Sequence, residues 1–200
     1  MANFRYAPSS LRRAEAFALS VAFSALPSAP GSLAASNWAI DPTRTHIAFA
    51  VDAVAYPKTH GEFRQFEGTI VIDLEHPAKS HVAFHVQSAS VDVGSSSFND
   101  YLRSQALLDA SRFPTIDFSS TSVEKLDDHR VRLTGDLTLL GVTHPLDVDV
   151  DVERRPGGGR ARFEFTAKTT INRLEFGMNS GFPVISRDVE LVISSEAAES

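Results

Sequence analysis

Leu146 to Val152 reads Leu-Asp-Val-Asp-Val-Asp-Val, in which apolar and acidic residues alternate without a break. Successive side chains of a β-strand point to opposite faces of the sheet, so this segment predicts a strand with one apolar and one charged face. A single strand of this kind cannot hide its apolar face from water. The chain therefore needs further strands of the same pattern, packed so that their apolar faces meet.

The same alternation recurs along most of the chain. It predicts strands near residues 37–40, 46–51, 62–74, 82–91, 115–126, 129–140, 145–154, 160–171 and 187–194. Tyr56 to Gly61 is predicted as a loop, because proline and glycine bracket it. Phe98 and Leu102 stand at helical spacing, and they predict one short helical insertion near residues 97–108.

Eight or nine antiparallel strands without a βαβ pattern predict an all-β fold. Closure into a barrel removes exposed strand edges, and eight strands leave an interior that just holds a small ligand. We therefore predict an antiparallel eight-stranded barrel, with a two-sheet sandwich as the structural alternative. Ala161, Ala167 and Gly135 lie on apolar faces and indicate some room inside.

An outer-membrane barrel also alternates, but its polar face points inward. Asp147, Asp149 and Asp151 would then crowd a narrow lumen with three like charges. We expect the opposite arrangement, with the apolar faces inside and the carboxylates in water.

The first 36 residues differ in composition from the rest. Arg5, Arg12 and Arg13 precede an apolar stretch from Ala14 to Leu26, and Ala34-Ala35-Ser36 follows as a cleavage signal. This order is typical of a secretory signal peptide, and an apolar run of about a dozen residues is too short to span a bilayer. We expect an exported protein with a signal peptide at residues 1–36 and a barrel domain at residues 37–196. A disordered or amphipathic tail is the alternative.

Charge and cysteine content exclude several function classes. The formal net charge is −6, and removal of three arginines and one glutamate with residues 1–36 would change it to −8. An acidic domain repels phosphate backbones, so we expect no nucleic acid partner. The sequence contains no cysteine, which excludes thiol catalysis and cysteine-ligated metal.

Seven histidines raise the question of a metal site. His81 and His85 are four residues apart, about 13 Å along a strand, too far for joint coordination. The sequence also contains neither a Gly-x-Ser-x-Gly elbow nor a His-Glu-x-x-His motif. We predict no metal, no cofactor and no catalytic residue.

Five groups of segments follow one another in a fixed order. They are Trp38–Asp41 with Thr45–Phe49, Gly61–Phe63 with Phe66–Gly68, Ser90–Gly94 with Asn99–Ser104 and Phe113–Phe118, Gly135–Pro145, and Asn172–Met178. Together they resemble the YceI-like lipid/polyisoprenoid-binding domain, over residues 38 to about 194. The chain departs from that family at Ala53–Tyr56, where a histidine is usual, and at Asn99, where an arginine is usual.

The resemblance implies a lipocalin-like barrel in the periplasm that holds a long isoprenoid or fatty-acid-like lipid without transforming it. Alternatives are a lipid-modifying enzyme with the same pocket, or a carrier of a quinone-type molecule that serves a membrane redox protein. We expect no membrane-spanning segment in the domain. A homodimer is expected only because two-fold dimers are common.

The ligand contacts are expected on inward strand positions. For the apolar tail these are Trp38, Phe49, Phe84, Phe118, Leu137, Phe163, Phe165, Phe176 and Met178. For a polar head group they are Asn99, Arg103 and Arg173. Apolar, shape-adaptable side chains suit a featureless chain, whereas the amide and guanidinium groups can donate hydrogen bonds.

Overall fold

The computed structural model describes residues 36–40, 42–73, 79–155 and 162–199. These residues all belong to one of the two units into which the chain divides, Leu33–Ser200. The predicted signal peptide lies outside the described residues except for Ser36, and so does Ala161. Both stay predictions.

Eleven β-segments and one helix make up the described chain. In order they are β1 Ser36–Ile40, β2 His46–Ala53, β3 Tyr56–Phe63, β4 Phe66–Ile72, β5 His81–Gln87, β6 Val91–Asp92, α1 Ser96–Arg103, β7 Thr115–Lys125, β8 Arg130–Leu139, β9 Val142–Arg155, β10 Arg162–Asn172 and β11 Ile185–Glu199. Short 3-10 turns, Pro42–Arg44 and Ser88–Ser90, separate β1 from β2 and β5 from β6.

The eleven segments occupy eight positions around a closed ring. β1 and β2 follow one another along the same edge of β11. On their other sides, β1 pairs with β4 and β2 pairs with β3. In the same way β4 pairs with β5 while β3 pairs with β6. Three of the eight strands are therefore interrupted and the other five are continuous.

Closure of the ring follows from the pairing of β1. Trp38 lies opposite Ile70 of β4 on one side and opposite Glu199 of β11 on the other. Every neighbouring pair is antiparallel, and β7 to β11 follow in sequence order. The structure confirms the predicted antiparallel barrel, although its eight positions are built from eleven β-segments and not from eight continuous strands, and the two-sheet sandwich is wrong.

The side chains of β9 alternate as the sequence predicts. Val148 and Val150 are buried, whereas Asp147, Asp149 and Asp151 are exposed. The buried valines join a cluster that includes Ile70, Val82 and Phe84 from other strands. For the described strands the interior is therefore apolar, and the arrangement with a polar lumen is wrong.

Two further sequence predictions concern local structure. The helical insertion is confirmed, since α1 spans Ser96–Arg103 and turns follow over residues 105–108. The predicted loop at Tyr56 to Gly61 is wrong, because these residues form most of β3. Pro57 is tolerated there as the second residue of the strand, and Thr59 and His60 pair with Val51 and Ala50 of β2.

Candidate functional site

The barrel encloses an apolar cavity of about 1150 Å³. Its wall consists of the inward residues of the strands, such as Val82 and Val86 of β5 and Val148 and Val150 of β9. The volume slightly exceeds the range of about 300–1,000 Å³ that is common for small-molecule pockets. The interior is thus large enough for a ligand and offers it mostly hydrocarbon contacts.

Most of the side chains predicted to contact an apolar tail border this cavity. They are Phe49, Phe84, Phe118, Leu137, Phe163, Phe165 and Met178. Trp38 lies in β1, but its side chain is outside the described part of the structure. These seven residues come from five strands and the loop after β10, and alternation brings those on the strands to one interior.

Phe176 does not border the cavity, although it is only 4% exposed. It lies in the turn after β10, packs in a cluster with Leu139 and Ile171, and meets the His144 ring edge-on at 5.1 Å. Alternation cannot place this residue, because a turn has no period of two. Its burial fixes the turn to the barrel wall.

Two cavity-lining aromatic rings lie against glycines of neighbouring strands. A Cβ atom at Gly61 would lie 2.3 Å from Cζ of Phe49, and one at Gly135 would lie 2.7 Å from Cζ of Phe118. The space that Gly135 leaves is therefore filled by Phe118 and adds no room to the cavity. Ala167, in contrast, does border the cavity.

Asn99, a predicted head-group contact, hydrogen-bonds within the protein. Its Nδ2 donates to Asp92 at 3.0 Å, and its Oδ1 accepts from the backbone N–H of Val93 at 2.8 Å. The backbone N–H of Gly94, the Asn99 amide and Arg64 lower the pKa of Asp92 from 3.8 to about 2. Asn99 thus ties α1 to the segment after β6, and it does not border the cavity.

Arg103 is similarly engaged. Its guanidinium donates to the carbonyl oxygens of Ala89 at 2.8 Å and Val91 at 3.2 Å, and it pairs with Asp100 at 3.3 Å. These contacts hold the last turn of α1 against β6 and the preceding 3-10 turn. Arg103 does not border the cavity either.

Arg173 is the one predicted head-group residue that borders the cavity. It is 3% exposed, and its guanidinium donates to the carbonyl oxygens of Met178, Ser180 (3.0 Å), Ile185 (3.0 Å) and Ser186 (2.7 Å). Burial lowers the pKa of Arg173, and the nearby Tyr101 acts in the opposite direction. The side chain thus joins the segment after β10 to the first residues of β11.

The two ends of the cavity differ in chemistry. At the β7–β8 turn the border is charged, with Lys125 bonded to Asp128 and Arg130 bonded to Asp127, each at 2.8 Å. At the end where α1 lies, the border is mostly apolar, although Lys58 and Arg173 also line it. It includes residues that were not predicted, namely Tyr56, Phe98, Tyr101, Phe182 and Val184. Phe98 and Tyr101 three residues apart on a helix, and Phe182-Pro183-Val184 in a turn, are the signals that could have identified them.

Within the described ranges no three His, Asp or Glu side chains are placed to hold a metal ion. Among the helices of the described chain, none has the length and apolar character needed to cross a membrane.

Sequence comparison relates the chain to one family. The model of the YceI-like domain matches residues 38–197. The chain is 32% identical over 186 residues to Protein YceI of Escherichia coli O157:H7, an alignment that covers 90% of this chain and 96% of that protein. Protein YceI of Salmonella agona is likewise 32% identical over 186 residues, with the same coverage.

Solved structures share the fold. BcnA of Burkholderia cenocepacia has a TM-score of 0.71 at 21% identity, over 78% of this chain and 98% of BcnA. The YCEI protein of Campylobacter jejuni has a TM-score of 0.67 at 23% identity, over 74% and 90%. A polyisoprenoid binding domain from Saccharophagus degradans has a TM-score of 0.61 at 14% identity, over 83% and 99%.

Proposed function

Because the chain belongs to the YceI-like family, we propose that it binds a long-chain isoprenoid or fatty-acid-like lipid in its barrel and carries or sequesters it unchanged. The apolar cavity of about 1150 Å³ is the observation that carries this proposal. The description of the Saccharophagus degradans domain as polyisoprenoid binding supports the same ligand class.

Binding of a hydrocarbon chain requires little more than the apolar wall of this cavity. Each methylene removed from water contributes about 0.8 kcal/mol, so a chain of about fifteen gains on the order of ten kcal/mol before the costs of binding. Aromatic rings such as Phe84, Phe118 and Phe165, spread along the wall, can follow the bends of a flexible chain. Carriage needs no reacting group, which is why we propose binding without chemistry.

The site of action belongs to the proposal as well. We place the mature protein in the periplasm, since residues 1–36 have the order of charge, apolar stretch and small residues of a signal peptide. A carrier of this kind would shield a water-insoluble chain while it crosses an aqueous compartment.

Extraction of the purified protein with organic solvent, followed by mass spectrometry, tests the proposal. We expect about one long-chain lipid per protein. Ala167→Trp puts a large ring into the cavity from β10, and we expect it to lower retained lipid at least tenfold. Thr170→Trp is the matched control, because Thr170 lies on the exposed face of the same strand.

Two results would contradict lipid carriage. One is repeated absence of lipid in the extract together with failure of the protein to bind added isoprenoid alcohols or fatty acids. The other is equal lipid retention by Ala167→Trp and Thr170→Trp, which would place the ligand outside the cavity.

A further inference from the structure

The barrel end that carries α1 presents large apolar side chains to solvent. Val54, Tyr56, Tyr101, Phe182 and Val184 are 69%, 71%, 39%, 53% and 49% exposed. We call these five residues the rim. Large apolar side chains that are exposed singly are ordinary, whereas a contiguous group marks a surface that meets a partner.

Direct contacts join the three segments that form the rim. The backbone N–H of Val54, in the β2–β3 turn, donates to the carbonyl oxygen of Val184 at 2.8 Å. The hydroxyl of Tyr101 on α1 lies 2.8 Å from that of Ser180 in the segment before β11. The guanidinium of Arg173 holds this last segment from inside the barrel. The rim is therefore one surface, formed by the β2–β3 turn, α1 and the segment before β11, which are bonded to one another.

The rim is also continuous with the cavity. Tyr56, Tyr101, Phe182 and Val184 border the cavity and are exposed to solvent at the same time. A hydrocarbon chain that leaves the cavity at this end therefore passes along apolar side chains up to the protein surface. At the β7–β8 turn the border is made of ion-paired groups, which a hydrocarbon chain would have to desolvate.

Charge distinguishes between the surfaces that could cover the rim. Residues 53–57 and 177–186, which supply four of its five residues, contain no Asp, Glu, Lys or Arg. Lys58 is paired with Glu190 and Asp52, and Arg103 with Asp100. The guanidinium of Arg173 is buried and bonded to backbone carbonyl oxygens, so it does not reach the surface. Since the chain as a whole has a formal charge of −6, an anionic surface would repel it, and an uncharged interface suits the rim.

We propose that the rim docks on a zwitterionic lipid bilayer, with its side chains inserted among the lipid head groups. Tyrosines together with Phe and Val suit this boundary, because their polar ends stay wet while their apolar parts enter the acyl layer. Docking would let a chain move between bilayer and cavity without contact with water. The docking stands independently of the proposed function, whereas the transfer of a chain rests on it.

A single fluorescent label tests the docking at the rim itself, because the sequence has no cysteine. The full chain carries either Val54→Cys at the rim or Val192→Cys on the outer face of β11, where Val192 is 39% exposed. Each cysteine is labelled with the same environment-sensitive dye. With phosphatidylcholine vesicles we expect the emission of the Val54→Cys label to shift to the blue and to resist quenching by aqueous iodide. The Val192→Cys label should show neither change.

A second variant tests which side chains cause the insertion. Phe182→Ser with Val184→Ser, in the Val54→Cys background, should raise the lipid concentration at half-maximal signal about tenfold, since two apolar groups no longer enter the bilayer. Leu126→Ser with Val142→Ser removes two exposed apolar side chains elsewhere and should leave that concentration unchanged. Far-UV circular dichroism verifies that each variant retains its strands.

Several results would overturn the docking proposal. Equal shifts of both labels, or no shift of either, would mean that the rim does not enter the bilayer. A shift only with anionic phosphatidylglycerol vesicles that disappears at high salt would mean electrostatic attachment. A shift without vesicles that grows with protein concentration would mean that a second copy covers the rim. If the rim enters the bilayer but the protein retains no lipid, the proposed function is contradicted and the docking proposal stands.

Discussion

Arg173 lies between an apolar cavity and a ring of backbone carbonyl oxygens. Its guanidinium donates hydrogen bonds to Met178 and Ser180 in the segment before β11 and to Ile185 and Ser186 at the start of β11. Arginine suits this position because its planar group directs five N–H donors in fixed directions. We infer that its main role is to hold this segment, and its predicted contact with a ligand head group stays a prediction.

Replacement of Arg173 separates these two roles. Arg173→Met leaves four carbonyl oxygens without that donor, and we expect it to lower the free energy of unfolding by about 3 kcal/mol or more. Arg173→Lys keeps the charge with fewer donors, so we expect a smaller loss. Urea unfolding measures both. A head-group role would instead appear as wild-type stability of Arg173→Lys combined with weaker binding of lipids that carry an anionic head.

The sequence shows that these side chains can donate hydrogen bonds but not which groups accept them. Asn99, Arg103 and Arg173 were predicted as possible head-group contacts because they can donate hydrogen bonds. The groups that they meet are largely backbone atoms and Asp92, and backbone partners leave no trace in a sequence. Such partners depend on the path of turns, which alternation does not determine.

At the scale of elements, the period of two was the most informative signal. It placed β9 and its buried valines correctly, because one face of every barrel strand is inside. It failed at β3, where Pro57 and Gly61 look like loop residues and non-local pairing with β2 decides the structure. It also could not place Phe176, which lies in a turn.

Two glycines within the strands, Gly61 and Gly135, leave space that neighbouring aromatic rings occupy. A Cβ atom at Gly135 would lie 2.6 Å from the carbonyl oxygen of Ser119 as well as 2.7 Å from the Phe118 ring. At Gly61 the nearest atoms all belong to side chains, those of Phe49 and Val93. Side chains can move toward the cavity, whereas the backbone of a paired strand cannot.

We therefore expect Gly135→Ala to cost more stability than Gly61→Ala. Overpacking in a filled core costs about 1–3 kcal/mol, and we place Gly135→Ala in that range, with Gly61→Ala below it. Thermal or urea unfolding of the two variants beside the wild type measures the difference. Equal or reversed losses would mean that the β7–β8 pair can open to admit a methyl group.

On the scale of the whole molecule, the sequence predicted closure and an apolar interior but not its size. Closure removes the exposed edges of the sheet, and the pairing of β1 with both β4 and β11 completes it. The free volume depends on how inward side chains fill the ring. Gly135 indicated free space, but the Phe118 ring occupies that space, so residue size alone does not predict the cavity volume.

A cavity that a lipid fills should make the stability of the whole barrel depend on that lipid. A ligand that binds only the folded state stabilises it by about 2.7 kcal/mol at a free concentration of 100 times its Kd. For a domain of this size that corresponds to a rise in Tm of about 5–10 °C. We expect delipidated protein to melt lower than lipid-loaded protein and to recover on addition of a long-chain isoprenoid. Ala167→Trp should melt at the same temperature with and without lipid, while equal Tm values for loaded and delipidated wild type would contradict an internal ligand.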